Sequence, residues 1–439
     1  MAHTLLIKNG RVIDPANNLD AVADVLIEGK KIKQVGPGLA AELEPTVDRT
    51  IDATDMLVVP GLIDPHVHLR EPGQEDKETI ATGTRAAAAG GFTSIVAMPN
   101  THPVVDSVAD IDLIRSLAWR SSLVWVYSAA AVTVRSEGEL MTEMGDLVAA
   151  GAVAFTDDGL PVMNSEIMRR ALEYASMFDK PVLDHCEDSN LVGAGVINEG
   201  QVSAVLGLAA IPAAAESCMV ARDIELAEHT GGHVHVMHVS AARSVDLIRQ
   251  AKARGVRVTA EVTPHHLSLT DEALREFDTN AKMSPPLRSD ADRAALREAL
   301  ADGTIDCIGT DHAPHTDMEK DLPFVDAPNG VIGLETAFAV CYSKLVEAGE
   351  LELPALIERM TLAPARVMGF DKGTLSPGGD ADVAIIDLAL EREVSDETFF
   401  SKSRNSAFLG QTLRGWPVYT IFHGRLVYAE GQIIEKEQN

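Results

Sequence analysis

The sequence predicts an α/β protein: a TIM-like (β/α)8 barrel with a small β-sandwich domain assembled from both ends of the chain. Three observations lead there. Eight apolar β-type runs occur near 57–69, 93–99, 123–132, 152–157, 181–186, 233–239, 256–263 and 305–310. Helix-type stretches separate them, among them KETIATGTRAAAAGG, NSEIMRRALEYASMF, PAAAESCMVARDIELAEHTGG and SVDLIRQAKARG. Both chain ends read instead as short strands and tight turns.

Taken in order, residues 1 to about 55 hold LLIKNGRVID and ADVLIEGKKIKQVG, each with a glycine placed as a turn between β-type stretches. Residues 56–365 alternate strand and helix, the pattern of a parallel barrel whose chemistry collects at strand C-termini. A doubly wound open sheet is the competing fold; the eightfold count and the polar residues at strand ends favour the barrel. The Ala- and Gly-rich helix near 85–91 reads as close packing on the barrel, since no GxGxxG or GxxxxGK[ST] motif is present. Residues 366–439, with DADVAIIDL and PVYTIFHGRLVYAEGQII, return to short strands. The two β-rich ends are therefore expected to pair in space.

At 439 residues the chain exceeds one typical core, which fits one large and one small domain. It carries 37 Lys+Arg against 66 Asp+Glu, a net charge of −29. Such a surface repels nucleic acid and anionic membranes, so neither is an expected partner. An anionic substrate would need positive charge supplied locally by its site. MAHTLLIKNGRVID has no basic stretch followed by an apolar core, so no signal peptide is expected, and no apolar run reaches the roughly 18 residues of a membrane span. Cys186, Cys218, Cys307 and Cys341 are scattered without a CxxC pair and read as free thiols of a cytoplasmic protein.

The candidate chemistry lies at the strand ends. In GLIDPHVHLREPG, His66 and His68 are two apart on a strand and so point to one side, able to clamp one metal ion. In GAVAFTDDGLP, Asp157 and Asp158 face opposite ways, so one of them enters the barrel mouth. PVLDHCED puts His185 at a strand tip, with Cys186 turned into the core. In GGHVHVMHVSAA, His233 and His235 share a face and read as packing or surface residues, whereas His238 lies nearest the strand end and is the candidate ligand. DCIGTDHAPH places Asp311 at the last tip. Any one motif has a bland reading, such as a hydrogen-bonded histidine pair or an Asp-Gly turn. Together they gather histidines and aspartates on one face at a density that would be costly without a cation. Nitrogen and oxygen donors without thiolate suit Zn2+, with Mn2+ or Co2+ as replacements.

These blocks resemble the amidohydrolase superfamily and, within it, the dihydroorotases. PGLIDPHVHLREPGQEDKETIATGTRAAAAGGFTSIVAMPNTHPVVD and IGTDHAPHTDMEK look like that family's two signatures; EVTPHHL, KMSPPLR and APNGVIGLETAF are further family-like blocks. The likeness spans essentially the whole chain. It implies that His66, His68 and Asp311 hold one metal, that His185 and His238 hold a second, and that Asp158 bridges them, with Asp157 as the alternative. Strand four has no lysine, so a carboxylate rather than a carbamylated lysine forms the bridge. The likeness further implies that Arg70, Asn100 and His315 bind a substrate carboxylate and that Pro328, Asn329 and Gly330 contact a pyrimidine ring through their backbone. The likeness also implies a substrate contact for Ser284, which stands in KMSPPLR where many relatives have Asn and keeps only a shorter hydrogen-bonding group. His265 and His266 are not ligands in the family pattern.

The implied reaction is the reversible hydrolysis of the ring amide of (S)-dihydroorotate to N-carbamoyl-L-aspartate, a step of pyrimidine biosynthesis. Two divalent ions, expected to be Zn2+, would activate water and polarise the carbonyl. Asp311 would carry the proton to the leaving nitrogen, and Arg70 would give a forked donor to the substrate carboxylate. The rival readings are an allantoinase or hydantoinase, which would not need Arg70, and a non-catalytic scaffold for aspartate transcarbamoylase, which should have lost ligands that this chain keeps. The resemblance also makes aspartate transcarbamoylase a candidate partner and a homo-oligomer the expected assembly. Finally, residues about 312–330 are long, polar and Pro-interrupted, and they are expected to form a mobile lid.

Overall fold

The computed structural model describes residues 3–435. Its centre is an eight-stranded parallel sheet whose order follows the chain: Leu62–Val67, Phe92–Ala97, Trp125–Ala130, Ala152–Phe155, Val182–Asp184, Val234–Val236, Val258–Val262 and Cys307–Ile308. A parallel bridge between Val67 and His312 joins the last strand's extension to the first and closes the barrel. The His68 N–H completes that seam by donating to His312 O at 2.9 Å. Leu62–Val67, Phe92–Ala97 and Ala152–Phe155 are buried throughout, as strands covered on both faces must be. AVAF is apolar throughout, while LIDPHV and FTSIVA bury Asp64, His66, Thr93 and Ser94 as well.

The helices sit where the 3.6-residue pattern puts them: Ile80–Ala89, Ser165–Ser176, Ala214–Thr230 and Ala242–Ala253. Thr79 caps the first of these by accepting the Thr82 N–H at 3.1 Å, and Asn164 caps the second by accepting from Glu166 N at 3.0 Å. In the first helix Ala86, Ala87, Ala88 and Ala89 are all buried, which permits the close approach expected of that stretch. No helix among the described residues is long and apolar enough to cross a membrane.

The chain ends meet in one continuous nine-stranded sheet. The stitch between them is Leu57–Pro60, which runs parallel to Thr4–Asp14 and antiparallel to Val383–Glu393. Its apolar core draws on both ends, with Leu5, Ile7, Val25, Ile27, Val58, Val383, Ile385 and Ile421 packed together. Two details depart from the sequence reading. The run at 57–69 is two strands, because Leu57–Pro60 belongs to the terminal sheet and the barrel begins only at Leu62. Pro60-Gly61 stands at that division, a turn signal that the sequence reading passed over. LLIKNGRVID is also one strand, Thr4–Asp14, with an irregularity between Ile7 and Gly10 in place of a turn. Gly10 is required there because a Cβ would lie 2.4 Å from Val58 Cγ2.

Candidate metal centre

The C-terminal mouth of the barrel gathers the residues singled out above. His66 ends the first strand, Asp158 follows the fourth, His185 the fifth, His238 the sixth and Asp311 the eighth. His68 Nε2 lies 3.0 Å from Asp311 Oδ1 and 3.3 Å from Asp158 Oδ2. His66 Nε2 lies 3.4 Å from Asp311 Oδ1 and 3.6 Å from Asp158 Oδ2. On the other side, His185 Nδ1 is 3.9 Å from Asp158 Oδ1 and 2.9 Å from His238 Nε2. Asp158 thus turns one oxygen to His66 and His68 and the other to His185, the disposition of a bridging carboxylate. Asp157 faces away, its Oδ1 accepting the Thr133 N–H at 3.0 Å and its other oxygen the Thr133 hydroxyl.

Donor atoms bound tetrahedrally at about 2.1 Å from an ion stand about 3.4 Å apart, and the separations above bracket that value. Of four groups among the described residues whose donor atoms lie close enough to hold a cation, two stand at the mouth: His66, His68 and Asp311, and Asp158, His185 and His238. His66 Nε2 is buried without a hydrogen-bond partner, as a nitrogen aimed at a cation should be. The electrostatics agree. Burial raises and the surrounding histidines lower the Asp158 and Asp311 carboxyls, with the net effect well below the usual carboxylate range. Burial lowers the His66 imidazole, but Asp311, Glu261 and Asp158 together push it well above its ordinary value. The site therefore has a strongly negative potential that calls for positive charge.

Three residues of the mouth occupy the left-handed backbone region: Arg70 at φ 62°, His238 at φ 31° and Asp311 at φ 47°. Such conformations cost on the order of 1–3 kcal/mol each in side chains other than glycine and cluster where function requires them.

Three of the four candidate ligand rings are held from behind by a residue that sequence reasoning passed over or assigned elsewhere, whereas His238 Nδ1 is buried without a hydrogen-bond partner. His66 Nδ1 donates to Glu261 Oε1 at 2.6 Å. His185 Nε2 donates to Glu187 Oε2 at 3.0 Å, and the same oxygen accepts the Ser284 hydroxyl at 2.5 Å. His68 Nδ1 donates to Asn100 Oδ1 at 2.9 Å, while Asn100 Nδ2 donates to Asp158 O at 3.3 Å. Ser284 and Asn100, expected on substrate, are thus engaged in supporting the centre. Burial raises the Glu187 and Glu261 carboxyls, but His185 for the first and His66 with His235 for the second bring each down to about 2. Their signal was available: a Glu inside an apolar strand, EVTPHHL, and a Glu two residues beyond a strand-tip histidine. Cys186 is buried, its thiol donating to Asp223 Oδ2 at 3.4 Å, as the alternation of strand five implied.

Beside the centre stands Arg70, buried and without a carboxylate partner among the described residues. Its Nε donates to Pro314 O at 3.2 Å, and its Nη2 lies 3.4 Å from His315 Nε2. That nitrogen of His315 donates to Asn329 O at 2.8 Å, so it offers Arg70 no acceptor. Burial, followed by Arg70 itself, lowers the His315 imidazole to about 3 and keeps it neutral. No further acceptor among the described residues lies within hydrogen-bonding distance of the guanidinium. Pro328, Asn329 and Gly330 line up next to it, but their carbonyls accept from Lys320 Nζ at 3.0 Å, His315 Nε2 and Asn405 Nδ2 at 3.1 Å. Gly330 sits at φ 127°, where a Cβ would lie 2.8 Å from Ala313 Cβ. Asn405, from the C-terminal part of the chain, had no sequence signal.

The segment 312–330, expected as a mobile lid, is tied to the barrel at several points. It contains the helix Asp317–Lys320, capped by Thr316. Lys320 is buried, its ammonium donating to Thr279 O at 2.9 Å and to Pro328 O. Lys282 Nζ likewise donates to Phe324 O at 2.6 Å and Ala327 O at 2.6 Å. Polar composition concealed this anchoring because the partners are backbone carbonyls. Trypsin is accordingly expected to cut after Lys320 no faster than global unfolding allows, with or without ligand; rapid cleavage of native protein that ligand suppresses would restore the lid.

Residues 55–244 match the family model described as Dihydro-orotase-like. The chain is 56% identical to the dihydroorotase of Pelotomaculum thermopropionicum over 423 residues, 96% of this chain and 98% of that one. It is 52% identical to the dihydroorotase of Geobacter metallireducens, over 97% and 99% of the two chains. Among solved structures, L-hydantoinase (dihydropyrimidinase) from Arthrobacter aurescens superposes with a TM-score of 0.89 at 27% identity, covering 99% of this chain and 98% of that one. Dihydropyrimidinase from Brevibacillus agri does so with a TM-score of 0.85 at 26% identity, covering 98% and 96%.

Proposed function

This chain belongs to the dihydroorotase family, and on that premise we propose that it opens and closes the ring of dihydroorotate with a pair of Zn2+ ions held at the barrel mouth. It is a metal-dependent hydrolase of cyclic amides. The observation that carries the choice of substrate is Arg70: a buried guanidinium, unpaired by any described carboxylate, beside a metal-binding cluster. Dihydroorotate carries a carboxylate that a planar two-pronged donor matches. Hydantoin and dihydrouracil offer no such group. Leaving Arg70 uncompensated against them is a penalty that discriminates between otherwise similar cyclic amides.

His66, His68 and Asp311 would hold one ion, His185 and His238 the other, with Asp158 between them. When bound, the metals lower the pKa of water and polarise the scissile carbonyl. The protein's own residues do the rest. Glu261, Asn100 and Glu187 fix the ring orientation of His66, His68 and His185. Asp311 is held ionised, and its Oδ1 lies at the mouth within 3.0 Å of His68 Nε2. It takes a proton from the attacking water and returns it to the ring nitrogen as the amide bond breaks. Arg70 holds the substrate carboxylate, and the fixed Pro328–Gly330 backbone limits how the ring lies above the metals.

A side-by-side turnover assay tests this. The purified, metal-loaded protein is expected to process dihydroorotate at least about 10²-fold faster, in kcat/KM, than hydantoin or allantoin, in line with what an unpaired buried polar group costs. Equal rates on uncharged hydantoin would defeat the assignment while leaving the metal centre intact.

A further inference from the structure

Behind the metal centre, the barrel interior carries a row of polar side chains with no part in the chemistry above. Strands Val234–Val236 and Val258–Val262 are parallel neighbours in which His235 pairs with Thr259. Side chains two apart on a strand share a face, so His233 and His235 of one strand meet Thr259 and Glu261 of the next. His235 Nε2 lies 3.3 Å from Glu261 Oε2, His235 Nδ1 is 2.8 Å from Thr259 Oγ1, and His233 Nε2 is 2.8 Å from the same hydroxyl. With the 2.6 Å bond from His66 Nδ1 to Glu261 Oε1, these contacts form an unbroken chain leading back from the metal ligand.

The donor directions follow from counting protons. A metal on His66 Nε2 requires the proton on Nδ1, which donates to Glu261. Glu261 has one imidazole nitrogen at each of its oxygens, so as a carboxylate it can only accept, and His235 Nε2 must donate to it. With one proton on His235, Nδ1 must accept from the Thr259 hydroxyl. That hydroxyl has then spent its only proton, so it accepts from His233 Nε2. Burial, with His235 and Arg257 adding to it, lowers the His233 imidazole to about 3, consistent with a neutral ring. Every bond therefore points toward Glu261.

We infer that His235, Thr259 and His233 are positioning residues for the metal centre: a one-way hydrogen-bond chain that holds Glu261 as the acceptor for His66 and so keeps the Nε2 lone pair on the metal. The inference rests on the metal reading above. A plain packing role would tolerate any side chain of Thr259's shape. A chain of directed bonds requires its hydroxyl, because without it His235 is free to move its proton to Nδ1 and turn a lone pair on Glu261.

Zinc affinity measured by competition with a chromophoric chelator, beside the melting temperature of the zinc-free protein, tests this. Thr259→Val keeps the shape and removes the donor; it is expected to weaken zinc binding by about tenfold, the lower end of the range for residues behind metal ligands. Thr259→Ser keeps the donor and is expected to stay within about twofold of wild type, the two zinc-free variants melting alike. If Thr259→Val does not fold, Thr259→Ala against Thr259→Ser makes the same comparison. Equal zinc affinity in the Val and Ser variants overturns the chain. So does a third zinc equivalent lost in Cys307→Ser, since His235, Glu261 and Cys307 would then be ligands themselves. A wild-type protein that binds no zinc would instead overturn the metal reading on which the inference stands.

Discussion

Asp311→Asn is expected to keep its metals and lose dihydroorotate turnover by about 10²–10⁴-fold, the contribution of a positioned general base. The variant separates two jobs that the wild-type residue combines. Its oxygen stands 3.0 Å from His68 Nε2 and 3.4 Å from His66 Nε2, within one ligand triad. An amide oxygen in the same place can still donate a lone pair to a cation. It cannot take up a proton at neutral pH, whereas the wild-type carboxylate is held ionised by the surrounding histidines despite its burial. Metal content by elemental analysis and kcat on dihydroorotate are the two readings. Near-normal kcat with metal retained removes Asp311 from the proton-transfer role; loss of metal and activity together shows ligation without isolating the base.

Arg70→Met is expected to lower kcat/KM for dihydroorotate by about 10²–10³-fold while metal content stays at the wild-type level, because truncating one side of a buried charge pair costs about 2–5 kcal/mol. Methionine fills most of the volume of the arginine stem and lacks the fork. The bonds lost inside the protein are few, one to Pro314 O and a 3.4 Å approach to His315, so the fold has little reason to change. Activity on uncharged hydantoin, however small in the wild type, should fall far less. A parallel fall for both substrates would mean that Arg70 supports the mouth as a whole and does not read the carboxylate.

Much of this centre was legible in the chain because barrel geometry is periodic. His66 and His68 share a side through strand alternation, and the same rule admits only one of Asp157 and Asp158 to the mouth; the family likeness named Asp158. The family likeness supplied the pairing of ligands into two sets, and both sets are found together. Legibility failed where a residue works through partners distant in sequence. Ser284 and Asn100, read as substrate contacts, also reach Glu187 and His68. Glu261 drew no reading within EVTPHHL, and only its 2.6 Å approach to His66, 195 positions away, reveals it as a support for the candidate metal ligand.

What the sequence determined by itself is what local physics sets: eight apolar runs with helices between them, β-rich ends, and histidines and aspartates at strand tips. What only the tertiary structure decided is what depends on long-range contact. It divided 57–69 into a strand of the terminal sheet and a strand of the barrel. It anchored 312–330 through the ammonium groups of Lys282 and Lys320, whose partners are backbone carbonyls that no side-chain pattern records. It also brought Asn405 from the C-terminal part of the chain to bind Ala313 O at 3.0 Å and Gly330 O. Hydrogen bonds to backbone carry no residue signature, so a sequence can name the groups that do chemistry while leaving unspoken most of those that hold them in place.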